Sequence, residues 1–217
     1  MKNEALKLFG KETISEAEGF AELCRSGRRW GGSAVLVVLD ACLDSTGLNY
    51  FTVVVPKVKE FRRRYVESGK VRSCSDFSAL KSRDLMSMFR NERAWGAMKE
   101  ICSFISSKSG GGNEMKTLNK WAAAADPFDF KNDHLGRIKG VGISTFQYLR
   151  MQSGIDAIMP DKQIMKWINR NFSTVLNAKE CILRGKEISV KIGMSQTGLC
   201  WAIWIKESGE LNRIEPE

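Results

Sequence analysis

Two glycines flanking one apolar residue, Gly140-Val141-Gly142, then Ser144 and Thr145, then a lone acid at Asp161, are the residues whose types and spacing suit chemistry. Glycine adopts positive φ without steric penalty and lets a ligand come close to the backbone. In Ile138-Lys139-Gly140-Val141-Gly142-Ile143-Ser144-Thr145-Phe146 the pair precedes a helical pattern, so the amides near Gly142 and Ile143 are predicted to point outward at a helix start. Unsatisfied N–H groups and the positive end of the helix dipole make such a start an anion site. Lys139 adds a charge beside it, and Ser144 and Thr145 add hydroxyls. The same residues equally suit a tight turn between packed helices. Asp161 follows Met159-Pro160 and lies nineteen positions beyond Gly142 (161 − 142 = 19). Asp after Pro suits a helix N-cap. A buried carboxylate also stabilises positive charge developing on a reacting carbon, or steers a water to it.

The rest of the composition narrows the partner. Lys and Arg exceed Asp and Glu by nine (34 − 25 = 9) in 217 residues, which suits a polyanion. The six cysteines, at 24, 42, 74, 102, 181 and 200, lack the short spacing that a zinc ribbon or an iron–sulfur cluster requires. Reduced, packed thiols are expected instead, with no metal held by side chains. His134, the single histidine, sits beside Asp133 on a polar segment and is expected at the surface, which argues against histidine-based catalysis. The amino terminus is polar without a signal-peptide core, and the longest apolar run, Ala34 to Leu39, is too short to span a bilayer. A cytoplasmic protein with no membrane partner is expected, nucleoid-associated if the source is prokaryotic.

The elements that must position these residues are helical. Ala17, Phe20, Ala21 and Cys24 fall on one face of a helix over 15–24, which Arg25-Ser26-Gly27-Arg28-Arg29-Trp30-Gly31-Gly32 ends. Those arginines could meet phosphates, or the stretch could be a solvated loop with Trp30 tucked into the core. Residues 33–42 suit a buried helix capped by Ser33, although Val35 to Leu39 reads equally as a strand. Residues 49–68 carry a helical pattern that starts or kinks near Pro56. A cap at 75–78 precedes a short helical segment breaking near Ser82, and helices follow over 91–106 and 115–125, separated by the Gly-rich loop 108–113. A short helix over 132–137 is predicted to run into the hairpin. Three more are predicted over 162–172, 178–192 and 196–206, the last burying Leu199, Cys200, Ile203 and Trp204, with a fraying polar tail over 207–217. No strand pattern is convincing, so the class is all-α.

The segment from Leu135 to Arg170, with its Ile138-Lys139-Gly140-Val141-Gly142 hairpin and its helix opened by Asp161, resembles the helix-hairpin-helix DNA glycosylase superfamily. The likeness extends loosely over the all-α layout. It implies one unit over 1–217, with a lobe at 28–130, a second at 1–27 plus 131–217, and an active-site cleft between them. It implies that Lys139, Gly140, Val141, Gly142, Ser144 and Thr145 contact backbone phosphates of DNA, expected to be double-stranded, and that a monovalent cation could sit on the hairpin carbonyls. Asp161 takes the place of the catalytic carboxylate facing a flipped nucleotide, and no cofactor is required. Bifunctional members carry a lysine two positions after the second hairpin glycine, an amine that forms a Schiff base with the sugar. Here that position is Ser144, so a monofunctional, monomeric enzyme that leaves an abasic site is expected. Met159-Pro160-Asp161 is similar to the Pro-Asp context of bacterial alkyladenine glycosylases.

A base taken out of the stack needs a pocket with aromatic faces, and a wedge commonly fills its place in the duplex. Cys42, Leu43, Asp44 and Ser45, at the end of a helix similar to the family's wedge helix, are the pocket or wedge candidates, with Trp30. Trp95, Trp121 and Trp201 are further stackers or core residues. Asp40 and Asp44 either read an exocyclic group or cap a helix. Three other readings stay open: a non-catalytic DNA-binding module, a glycosylase for phage-type modified bases in defence, and an all-α scaffold with incidental basicity.

Overall fold

The computed structural model describes residues 2–174 and 176–209 and is all-helical, with no strand among those residues. In chain order the helices are α1 (Lys2–Phe9), α2 (Lys11–Arg25), α3 (Ala34–Asp44), α4 (Val55–Phe61), α5 (Cys74–Ala79) and α6 (Ser82–Met88). They continue with α7 (Glu92–Ser109), α8 (Glu114–Ala124), α9 (Ile143–Gln152), α10 (Lys162–Phe172), α11 (Ala178–Ile192) and α12 (Gln196–Ser208). No helix of the described chain is long and apolar enough to cross a membrane.

Side chains at the helix starts explain most of these boundaries. Ser33, Asn91, Asn113, Asp161 and Ser195 each accept a hydrogen bond from the first-turn backbone of the helix that follows. Asn177 does so within a capping box closed by Glu180. Each such cap is worth about 1 kcal/mol. Gly110, Gly193 and Gly209 end α7, α11 and α12 in the left-handed conformation.

Helix α3 is the centre of the packing. Ala34 through Leu43 are buried on every face, because α4, α5, α7, α8 and α9 all pack against it. A helix apolar all round belongs in a core, and the Ser33 cap resolves the Val-rich run in favour of helix over strand. On the other side α12 packs along α2 and also touches α1, α10 and α11. Helix α9 touches α2, α3 and α8 and so joins the two groups.

Two local expectations are corrected and one alternative is resolved. Residues 132–137 form successive turns rather than a helix, because the Asp133 carboxylate accepts from the amides of Leu135 and Gly136. Such side-chain bonds compete with helical ones. The cap of α5 is Ser73, not a residue of 75–78, its hydroxyl accepting from the Asp76 amide. Over residues 49–68 the first alternative holds: an α-helix starts near Pro56, which stands in the first turn of α4, with π-helical turns on both sides, at Tyr50–Val54 and Arg62–Val66. Helix α12 runs on through Ser208, and residues 210–217 of the expected polar tail lie outside the described residues.

Candidate active site

The hairpin is built by one demanding glycine and one permissive one. Gly140 has φ +111°, and a Cβ there would lie 3.2 Å from Ala97 Cβ and 3.3 Å from Arg93 Cγ, so the turn is pressed against α7. Gly142 has φ −94° and ψ 175°, an extended N-cap conformation open to any residue, with open space where a Cβ would stand. The expectation of positive φ therefore holds at Gly140 only. The Val141 amide donates to the Ile138 carbonyl at 3.0 Å, which tightens the turn. Val141 is buried and Lys139 exposed. Ser144 Oγ donates to the Pro160 carbonyl at 2.9 Å and so ties the start of α9 to the segment that presents Asp161.

Asp161 caps α10: its Oδ1 accepts from the Ile164 amide at 2.6 Å. Its Oδ2 accepts from Trp204 Nε1 on α12 at 2.8 Å. Burial pushes its carboxyl above the ordinary carboxylate value, and the hydrogen bonds from Ile164, Trp204 and Gln163 pull it back toward ionisation. The capping and chemical roles of this residue are geometrically compatible.

Hairpin and acid open on one cleft of about 790 Å³. Gly140, Gly142, Ser144 and Thr145 line it from α9 and its approach, and Asp161 with Lys162 from the start of α10. Asp44, Ser45 and the loop to Phe51 complete the lining, with Asn91 and, beside Gly140, Arg93 from the start of α7. Tyr50, Phe51 and Trp204 give the cleft aromatic faces, the Tyr50 and Trp204 rings lying nearly parallel with centroids 6.4 Å apart. A volume in this range fits an organic ligand of moderate size.

Of the pocket candidates, Asp44 and Ser45 reach this cleft, and Cys42, Leu43 and Trp30 do not. Cys42 and Leu43 turn into the core because only the last residue of α3 clears the surrounding helices. Burial also pushes the Cys42 thiol up to about 12, which leaves it protonated and inert. Trp30 sits at φ 53°, buried, its indole donating to Asp40 Oδ2 at 2.7 Å. Trp95 and Trp201 are buried, and Trp121 Nε1 is held by Asp133 at 3.1 Å; none lines the cleft. His134 is exposed and stacks on Phe104.

Asp40 neither caps a helix nor faces the cleft. Fully buried, its Oδ2 accepts from Trp30 Nε1, Tyr50 OH, Tyr148 OH and Gln152 Nε2 at 2.7–3.2 Å, with the Arg29 guanidinium at 3.9 Å. Burial pushes this carboxyl up, while Arg29 and the donors oppose the rise. The network fixes Tyr50, whose ring is part of the cleft wall.

Sequence reasoning missed Tyr50, Phe51, Asn91, Arg93 and the cleft-facing role of Trp204. Trp201 and Trp204 stand three apart on α12, a helix almost wholly buried, so spacing could not separate the core ring from the cleft ring. Among the described residues no group of three His, Cys, Asp or Glu side chains is placed to hold a metal. Comparison of the chain with protein-family models, curated proteins and solved structures gave no match.

The two glycines are expected to respond differently to the same change. Gly140→Ala forces a left-handed-side φ and a contact on α7, and should cost about 1–3 kcal/mol. Gly142→Ala should leave thermal stability near wild type, its methyl entering only the cleft. Melting curves of the two variants check this, and equal losses would contradict the assigned geometry.

Proposed function

We propose that this chain is a DNA N-glycosylase built on the two-lobed helix-hairpin-helix plan, acting on a damaged or otherwise modified base. The observation that carries the reading is the convergence of hairpin, acid and aromatic faces on one cleft. In this reading α3–α8 form one lobe and the remaining helices the other. The first-turn amides of α9, with Ser144 and Lys139, receive backbone phosphates of double-stranded DNA. The carbonyls of Lys139, Gly140 and Val141, which accept no hydrogen bond among the described residues, fit a monovalent cation that would add positive charge near those phosphates.

The extruded nucleotide enters between Tyr50, Phe51 and Trp204, where aromatic faces replace the stacking it loses. As the C1′–N bond breaks, positive charge grows on the sugar. The Asp161 carboxylate stabilises that charge and orients a water to C1′. Capping by the Ile164 amide and the Trp204 indole bond fix the carboxylate before the substrate arrives, so little reorganisation is needed at the moment of reaction.

Ser144 cannot form a Schiff base, and Lys139 is exposed outside the cleft wall. Lys162 lines the cleft beside Asp161 and is the one amine to watch. Incubation with duplexes carrying modified bases should give abasic sites that break only on added alkali, with negligible borohydride trapping. Efficient trapping would show a lyase and contradict the monofunctional assignment. The absence of abasic sites, with salt-sensitive DNA binding retained, would favour a non-catalytic binding module.

A further inference from the structure

The mechanism above uses one carboxyl, yet the cleft holds two. Asp44 is the last residue of α3 and lines the same cleft as Asp161. Its side chain accepts or donates no hydrogen bond and forms no ion pair among the described residues. Nothing in the fold requires an acid there: a helix C-terminus carries partial negative charge and disfavours an anion.

The charged and titratable surroundings of Asp44 point the same way. Asp40 precedes it by one turn on α3, Asp161 acts on it from the start of α10, and Tyr148 adds a phenol from α9. The cleft's cations, Arg93 from α7 and Lys162 from α10, do not pair with it. Tyr50, from the turn after α3, donates to Asp40 instead. Burial pushes the Asp44 carboxyl well above the ordinary 3.8, and repulsion from Asp40 and Asp161 adds to the rise. Asp161 differs because three hydrogen bonds favour its ionised form. Two acids whose surroundings separate them in this way divide naturally into a proton donor and an anion.

We propose that Asp44 is a catalytic general acid that protonates the departing base, and that the substrate class is an uncharged modified base with an acceptor nitrogen or oxygen turned toward α3. The assignment rests on the glycosylase reading and deepens it. In the step, the C1′–N bond breaks with its electron pair passing to the base, and the base takes the proton of Asp44. A water oxygen then bonds to C1′ and its proton passes to Asp161. Solvent returns a proton to Asp44 and removes one from Asp161, so one water is consumed and one neutral base released. A base that already carries a positive charge, such as an N7-alkylated purine, leaves without a proton and draws nothing from Asp44.

The test is single-turnover release against pH for wild type, Asp44→Asn and Asp44→Glu, on duplexes containing hypoxanthine, uracil or 7-methylguanine. For a neutral base, wild-type release should fall at alkaline pH, Asp44→Asn should be slower by about 10²–10⁴-fold with that limb gone, and Asp44→Glu should restore part of both. Release of a neutral base by Asp44→Asn at the wild-type rate, with the alkaline limb intact, overturns the proposal. So does a wild type that releases 7-methylguanine alone. Release of no base by the wild type overturns the glycosylase reading itself, a distinct result. Should the variant fold poorly, wild-type stability against pH supplies a second readout. A carboxyl held above 3.8 in the native state binds its proton more tightly there than when unfolded, so its contribution is fully present below 3.8 and is lost as pH rises through the raised value. Asp40 and Asp161 act in the same direction, so the readout is the difference between wild type and Asp44→Ser; the same pH dependence in both proteins would overturn the proposal.

Discussion

Asp161→Asn is expected to lower base release by about 10²–10³-fold while leaving DNA affinity close to wild type. Asn is as good an N-cap as Asp, so its side-chain oxygen can still accept from the Ile164 amide and α10 keeps its start. The start of α10 and the hairpin are then preserved, and the variant removes the negative charge beside the sugar together with the oxygen that accepts from the Trp204 indole. That separation makes the substitution more informative than Ala, which would also remove the cap. Base release in single turnover and affinity by fluorescence anisotropy measure the two halves. Equal loss in both would mean that Asp161 organises the cleft rather than the chemistry.

The largest stability effect should come from Asp40→Ala. Four donors and the Arg29 guanidinium converge on one Asp40 oxygen, and both partners of the ion pair are buried. Removing the acid takes the shared acceptor from four donors and a negative charge from beside a buried guanidinium, a change that costs about 3–5 kcal/mol in comparable sites. Tyr50 also loses the oxygen to which its hydroxyl donates, so the aromatic wall should loosen and base release should fall with it. Urea unfolding checks the first part; a loss below about 1 kcal/mol would contradict the description of this network as a buried structural centre.

Much of the helical frame was legible because it follows from local signals. Ser33 marks a helix start by residue type alone, and the spacing of Phe20, Ala21 and Cys24 fixes the inward face of α2. The turns at 132–137 escaped because Asp133 satisfies amides that a helix would have used. At the site, the Gly140 turn and the Asp161 cap were legible for the same local reason. The rest of the cleft wall was not. Whether Cys42 or Asp44 faces the cleft depends on which helices surround the end of α3, a tertiary fact that a run of apolar residues does not encode. Asp40 shows the limit most clearly, since its partners at 29, 30, 50, 148 and 152 are brought together only by the fold.

Free base detected by mass spectrometry, after incubating wild type and Asp161→Asn with duplexes that each carry a different modified base, tests the central claim most directly. Release of at least one base by wild type, with little or none from the variant, is the expected result and would name the substrate. Release at equal rates by both proteins, or from no duplex although DNA is bound through the hairpin, would contradict a glycosylase centred on Asp161.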